Sequence, residues 1–244
     1  QNPVPQQRSA QFDLKPVRKA IGNKSHCSLN ERECRNVFSK LGIKQVRAAF
    51  AKNKEKLEQA VKSVGFPCVA KIVSRDIPHK TAVGGVLINI ESLDQLKEGI
   101  LDMEARVSET LPHARIDGFL IQSMEKGLAE VLIGYRVDEL VGPTVVLSAG
   151  GILSEVYGDA AVRIAPVSHT TALEMIEEVK GLAPIRGYRG MPKGDLCALA
   201  DALVKLSQLA FIKRPRLMEA EINPLIIRES GKGATAADGL IVLQ

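Results

Sequence analysis

Three oxygen-bearing side chains recur at every second position in Glu219-Ala220-Glu221-Ile222-Asn223, and side chains two apart on a strand stand on one face. If Leu217 to Ile227 is extended, Glu219, Glu221 and Asn223 share a face and Met218, Ala220 and Ile222 take the other, toward core. Neighbouring carboxylates repel unless something positive lies between them. A divalent cation relieves that repulsion, and oxygen ligands from Glu and Asn suit Mg²⁺, which keeps waters or phosphate oxygens in its remaining positions. Asp238, between Ala237 and Gly239, completes a Glu221, Asn223, Asp238 set if the last two strands pair as a hairpin. A strand face simply turned to water accounts for the same alternation.

Lys71 is the only charge in the apolar run Cys68-Val69-Ala70-Lys71-Ile72-Val73. An ammonium buried without a partner is costly, so it needs an anion or an exit to solvent. A nucleotide phosphate supplies the first, and the open face of an edge strand supplies the second. His79 stands in the polar loop Ser74 to Val83, ahead of Gly84-Gly85. A neutral imidazole nitrogen can accept a phosphoryl group near neutral pH, although a loop histidine by itself is unremarkable. Gly84-Gly85 and Gly150-Gly151 would let backbone amides approach phosphate, or would simply form tight turns.

The elements that must position these groups follow from periodicity. Ser28 to Glu31 has capping-box spacing, with Cys34, Val37, Phe38 and Leu41 at helical intervals and a stop at Gly42. Asn53 caps a second helix bearing Leu57, Val61 and Val64, and Pro67 leads into the Lys71 strand. Val86 to Ile90 returns to strand, and Ser92 opens a long helix through Leu96, Ile100, Met103 and Val107. Further strands are expected at Ile116–Met124, Ala129–Val137, Thr144–Ser148, Val162–Ala165, Leu217–Ile227 and Thr235–Leu243, with helices at Thr170–Lys180 and Leu196–Ala210. Strands and helices lack the strict alternation of a doubly wound sheet, which points to an α+β protein of two lobes. Residues 1–27, rich in Gln, Pro and Lys, read as a tail or interdomain linker.

With 45% hydrophobic residues in 244, the chain can bury one large core or two smaller ones. No run approaches the roughly twenty apolar residues of a membrane span, so a cytoplasmic location without membrane contact is expected. The net charge of +5 is concentrated in the first 65 residues, but aromatics are 4% and Trp is absent, leaving few platforms for stacking bases. No nucleic-acid partner is expected. The four cysteines form no Cys-x-x-Cys pair and read as reduced and structural.

These features fall in a familiar order. Phe66-Pro67-Cys68-Val69-Ala70-Lys71, His79-Lys80, Val83-Gly84-Gly85-Val86, Ile121-Gln122-Ser123-Met124 and Glu130-Val131-Leu132-Ile133-Gly134 are followed by Gly150-Gly151-Ile152, Arg163-Ile164-Ala165-Pro166, Gly187-Tyr188-Arg189-Gly190 and Glu221-Ile222-Asn223-Pro224-Leu225. Across residues 28 to 243 the chain resembles the beta-subunit region of NDP-forming acyl-CoA synthetases, relatives of the succinyl-CoA synthetase beta subunit. The resemblance implies an ATP-grasp fold over 28–244, with a first lobe at 28–121, a second at 122–244 and the nucleotide between them. It assigns Lys71 to nucleotide phosphates, Gln122, Ser123 and Met124 to the hinge beside adenine, and Glu130 to a nucleotide-site acid. Asn223 and Asp238 match magnesium ligands with Glu221 adjacent, His79 matches a residue that receives or passes on the phosphoryl group, and Arg163 supports phosphate. The implied cofactors are ATP or ADP and Mg²⁺, with CoA bound mainly by a partner part. The implied partners are a CoA-binding alpha subunit or fused domain and a small carboxylic acid or its acyl-CoA, in an oligomer of like or unlike chains. The chain departs from the family pattern at Gly42-Ile43-Lys44, where Gly-Ile-Pro is usual, and at Ser148-Ala149-Gly150-Gly151 in the glycine-rich turn. Two other readings fit: an ATP-grasp ligase joining a carboxylate to an amine, which needs no histidine, and a regulatory domain sensing nucleotide or acyl-CoA within a larger protein.

Overall fold

The computed structural model describes residues 12–77, 80–150 and 158–244. Two antiparallel sheets, each with its own apolar core, form the two lobes. The smaller sheet runs β2 (Ala48–Ala51), β5 (Gly118–Ser123), β3 (Cys68–Val73), β4 (Val86–Ile90). One face is covered by α3 (Leu57–Val64) and α4 (Leu93–Thr110). Ser92 caps α4 through the Gln95 amide, and Leu96, Ile100, Met103 and Val107 bury its core stripe as the helical spacing predicts. Cys68, Ala70 and Ile72 enter the same core. Alternation therefore turns Val69, Lys71 and Val73 to the opposite face.

The larger sheet runs β1 (Cys27–Ser28), β11 (Gly239–Leu243), β9 (Leu217–Ile227), β6 (Ala129–Asp138), β7 (Gly142–Ser148), β8 (Ala160–Ile164), with β10 (Ala234–Ala236) also paired to β9. Its core face is packed by α1 (Lys15–Ile21), α2 (Glu31–Lys40), α5 (His169–Glu178) and α6 (Leu196–Ser207). The Leu217–Ile227 strand is found as expected, with Ala220, Ile222 and Leu225 fully buried and Asn223 exposed. The final expected strand is instead two, β10 and β11, and the break leaves Ala237 and Asp238 between them.

Three expectations are corrected at the start of the chain. Residues 15–21 are not tail but α1, with Pro16 in its first turn and Val17 and Ile21 fully buried; the two apolar contacts are hidden among basic residues. The segment 28–46 does not belong to the first lobe, because Leu29, Cys34, Val37, Phe38, Leu41 and Ile43 pack into the core of the larger sheet. The second lobe is thus built from both ends of the chain around a first lobe at about 48–123. Finally, Ser28 cannot cap the helix, since it pairs with Val242 in β1. The capping box is Asn30 with Glu33: the Asn30 side chain accepts from Glu33 N, and Glu33 Oε2 accepts from Asn30 N. Burying Val37 and Phe38 contributes roughly 1.5–3 kcal/mol each, which orients α2 so that its N-terminal acids reach the smaller lobe.

Candidate functional site

The two lobes meet at Lys71. Its side chain leaves the inner face of β3 almost fully buried, and Nζ lies 2.8 Å from Asp238 Oδ2 and donates to the Ala237 carbonyl at 3.2 Å. Gln122 of β5, also buried, donates to that carbonyl at 3.1 Å. The second Asp238 oxygen accepts from Gly239 N at 2.8 Å. Gly239 is required here by close approach, since a Cβ would sit 2.5 Å from a Phe38 ring carbon and 2.7 Å from the Glu221 carbonyl.

Beside this contact is a cleft of about 590 Å³. The smaller lobe lines it with Ser74, Arg75 and Lys80, and the larger lobe with Glu219, Glu221, Asn223 and Asp238. The alternating acids thus stand where their spacing places them, and β9 does pair with β11, Glu221 opposite Leu240 and Glu219 opposite Val242. Asn223 N reaches the Asp238 carbonyl at 3.3 Å, which brings the third expected ligand alongside. Among the described residues, no three His, Cys, Asp or Glu side chains converge as a metal cluster. Two carboxylates and an amide are an all-oxygen donor set that suits a hard divalent cation, and Lys71 is the group that must share or release Asp238.

Helix α2 supplies a second set of contacts between the lobes. Glu31, 3% exposed, is 2.7 Å from Lys80 Nζ, and Glu33 is 2.5 Å from Arg75. Arg32 lies 4.0 Å over the Phe50 ring. Burial raises the Glu31 carboxyl above its ordinary value, against the attraction of Lys80 and with the repulsion of Asp238. Burial also pushes the Glu33 carboxyl up, but the Asn30 amide, Arg75 and Lys24 outweigh it and hold the group low. Arg35, one turn beyond Glu31, is lowered by burial against the pull of Asp238, and donates to the Val46 carbonyl at 2.6 Å.

The remaining expected residues divide. Gln122, Ser123 and Met124 form the crossing from the smaller sheet to the larger, with Ser123 N bonded to the Arg47 carbonyl and Met124 N to the Pro67 carbonyl. Glu130 stands exposed on β6 opposite Ile226, outside the residues lining the cleft. Arg163 is not brought to the site. It sits in register with Val145, Tyr135 and Ala220 on the core face of the larger sheet, the face opposite Glu221, and pairs with Glu178 at 2.5 Å. The Gly84 and Gly85 amides close a turn onto Thr81 and Lys80 and are not turned to a ligand; a Cβ on Gly85 would lie 2.6 Å from Ile72 Cδ1, so packing explains that glycine. His79 and Gly151 lie outside the described residues. Sequence reasoning missed Glu31 and Lys80 as a pair, because Glu31 had a sufficient role as a helix-start residue and no local spacing links it to a loop some fifty positions away.

Comparison with known proteins decides the family. The ATP-grasp domain family matches residues 20–243. The chain belongs to the ATP-grasp family. Within it, the chain is 34% identical to the beta subunit of ADP-forming acetate–CoA ligase I of Pyrococcus furiosus, over 88% of this chain and 91% of that one. This places the ATP-grasp chain in the family of NDP-forming acyl-CoA synthetases. It is 36% identical to ADP-forming acetate–CoA ligase I of Archaeoglobus fulgidus over 80% of its own length, but spans only 28% of that longer protein. A dinucleotide-forming acetyl-coenzyme A synthetase 1 of Ca. Korarchaeum cryptofilum, solved in complex with coenzyme A, Ca-AMPCP and HgCl⁺, superposes with a TM-score of 0.83 at 33% identity, covering 93% of this chain and 96% of that one. The expected α+β, two-lobed ATP-grasp architecture is therefore the observed one.

Proposed function

We propose that this chain is the nucleotide-binding part of an ADP-forming acid–CoA ligase, coupling formation or cleavage of an acyl-CoA thioester to ATP or ADP held in the cleft between its lobes. The observation that carries the reading is the Lys71–Asp238 contact between the lobes, beside Glu221 and Asn223, in a chain that spans 91% of a ligase beta subunit. The nucleotide and Ca²⁺ in the name of the Korarchaeum structure support it.

Lys71 is already placed by β3 and Gln122 on the segment that carries Asp238. A phosphate entering the cleft would offer its ammonium a second anion; Asp238, Asn223 and Glu221 are the residues that would hold a divalent cation, and Lys71, sharing Asp238, would then be free to turn to that phosphate. Mg²⁺ bound there would neutralise charge on the transferring phosphoryl group, since such transfer depends chiefly on positioning and charge. Gln122, Ser123 and Met124, at the crossing between lobes, are assigned to the base, and Glu130 to the edge of the same site. His79 is assigned as the residue that accepts or relays phosphate, on the family resemblance of its loop. Arg163 has no part in this reading, because its side chain is on the far face of the sheet.

The CoA-binding part is assigned to a partner subunit or fused domain, because the longer relative extends well beyond the region matched here. Among the described residues no helix is long and apolar enough to cross a membrane; a cytoplasmic location is part of the proposal. The test is a coupled assay of the complete protein with its CoA-binding part, acyl-CoA, phosphate and MgADP. ATP and free CoA are expected in equal amounts. Nucleotide binding with no ATP formed under any acyl-CoA would favour the sensing domain instead.

A further inference from the structure

Lys80 and Glu31 form a buried ion pair for which the reading above has no use. Glu31 is 3% exposed and the Lys80 side chain 12%. Such a pair is poor evidence of stabilisation, because desolvating both charges costs about as much as their attraction returns. Its placement is more informative. Glu31 is fixed in the larger lobe by the first turn of α2, whereas Lys80 follows the Ser74–Ile77 stretch of the smaller lobe and lines the cleft opposite Glu219 and Glu221. An ammonium has three donors, and among the described residues the one ion-pair partner of Lys80 is Glu31. Glu31 also lies within electrostatic reach of Lys71 and Asp238. The four groups make one cluster of two acids and two bases, of which Lys80 and Asp238 line the cleft.

We propose that Lys80 is a second phosphate-binding residue of the cleft, and that Glu31 is the positioning residue that holds its ammonium there before ligand arrives. The proposal rests on the nucleotide reading and adds to it the residue that receives the distal phosphates. The Lys80 ammonium stays beside the Glu31 carboxylate, and its N–H donors turn to phosphate oxygens as the anion enters. Glu33 pairs likewise with Arg75 at the start of that stretch, so α2 holds two bases that line the cleft.

The test measures the affinities of AMP, ADP and ATP, each with Mg²⁺, by calorimetry on the full chain and on Lys80→Met, Lys80→Arg and Glu31→Gln. Wild type is expected to bind more tightly as phosphates are added. Lys80→Met should leave AMP unchanged and lower ATP affinity by on the order of tenfold, the scale of one charge-assisted hydrogen bond. Lys80→Arg should recover part of that loss, and Glu31→Gln should show the same selectivity to a smaller degree with an unchanged AMP affinity. A purely structural pair would not discriminate among the three nucleotides. If Glu31→Gln fails to fold, the Lys80 variants decide. Lys80→Met that follows wild type across the series overturns the proposal while leaving the nucleotide reading intact. A wild-type chain that binds none of the three overturns both.

Discussion

Lys71 shows how far one residue's setting can be reasoned from its neighbours. A single ammonium in an apolar strand had two outlets, an anion or solvent, and the fold provides the anion Asp238 across the lobe boundary. Replacing Lys71 by Met keeps length and removes charge, so ATP affinity is expected to fall by roughly 10–100-fold, the range for a hydrogen bond to a charged group. Adenosine affinity should change little, and calorimetry with the two ligands checks this; equal losses would make Lys71 a support of the fold or of the base pocket. His79→Ala is expected to retain MgATP affinity near wild type and to lose turnover of the complete enzyme by orders of magnitude, as checked by the coupled assay and by phosphate incorporation into protein. Arg163 was legible only as an arginine in a recurring motif. Its face was set by the register of β7 with β8, which no local pattern reports.

At the scale of elements, α2 does more than its sequence pattern announced. The Asn30–Glu33 box caps the helix and Glu33 also holds Arg75, so Asn30→Ala is expected to lower stability by about 1 kcal/mol, as measured by urea denaturation. The two acids give opposite pH dependence. Glu33 is held below its ordinary value of 4.5, so the stability it contributes is present above that value and is lost as pH falls through its lower folded pKa. Glu31 is held above 4.5, so the folded state keeps a proton that the unfolded chain has released, and stability falls as pH rises from 4.5 through its folded pKa. Denaturation curves across acid pH should show Glu33→Gln losing the first slope and Glu31→Gln the second; unchanged slopes would mean that neither carboxyl is perturbed. Long elements were legible because many residues repeat the same period: β9 and the core stripe of α4 are both as expected. Helix α1 was not, because seven residues offer only two buried positions, Val17 and Ile21. The break between β10 and β11 did carry a local signal, the Asp238-Gly239 turn dipeptide, but the apolar residues on either side read as one continuous strand.

For the molecule as a whole, the α+β class and the acid-bearing cleft could be read from the chain, while the lobe boundary could not. Both ends of the chain build the larger lobe, and the return of residues 12–46 to that core depends on packing between segments about two hundred residues apart. The consequence is functional, because α2 and the Ala237–Asp238 segment, both of the larger lobe, grip the smaller lobe through Glu31, Glu33 and Asp238. A ligand that exchanges these contacts for phosphate and metal contacts must change how the lobes are held, which makes metal and nucleotide binding interdependent. The most direct measurement is calorimetric titration of ATP into the chain with Mg²⁺ and again with EDTA, for wild type and Asp238→Ala. Wild type is expected to bind ATP in Mg²⁺ and far more weakly in EDTA, with the dependence on metal lost in Asp238→Ala while the fold, followed by circular dichroism, is kept. Equal affinity for ATP in Mg²⁺ and in EDTA would contradict the assignment of this cleft as a metal–nucleotide site.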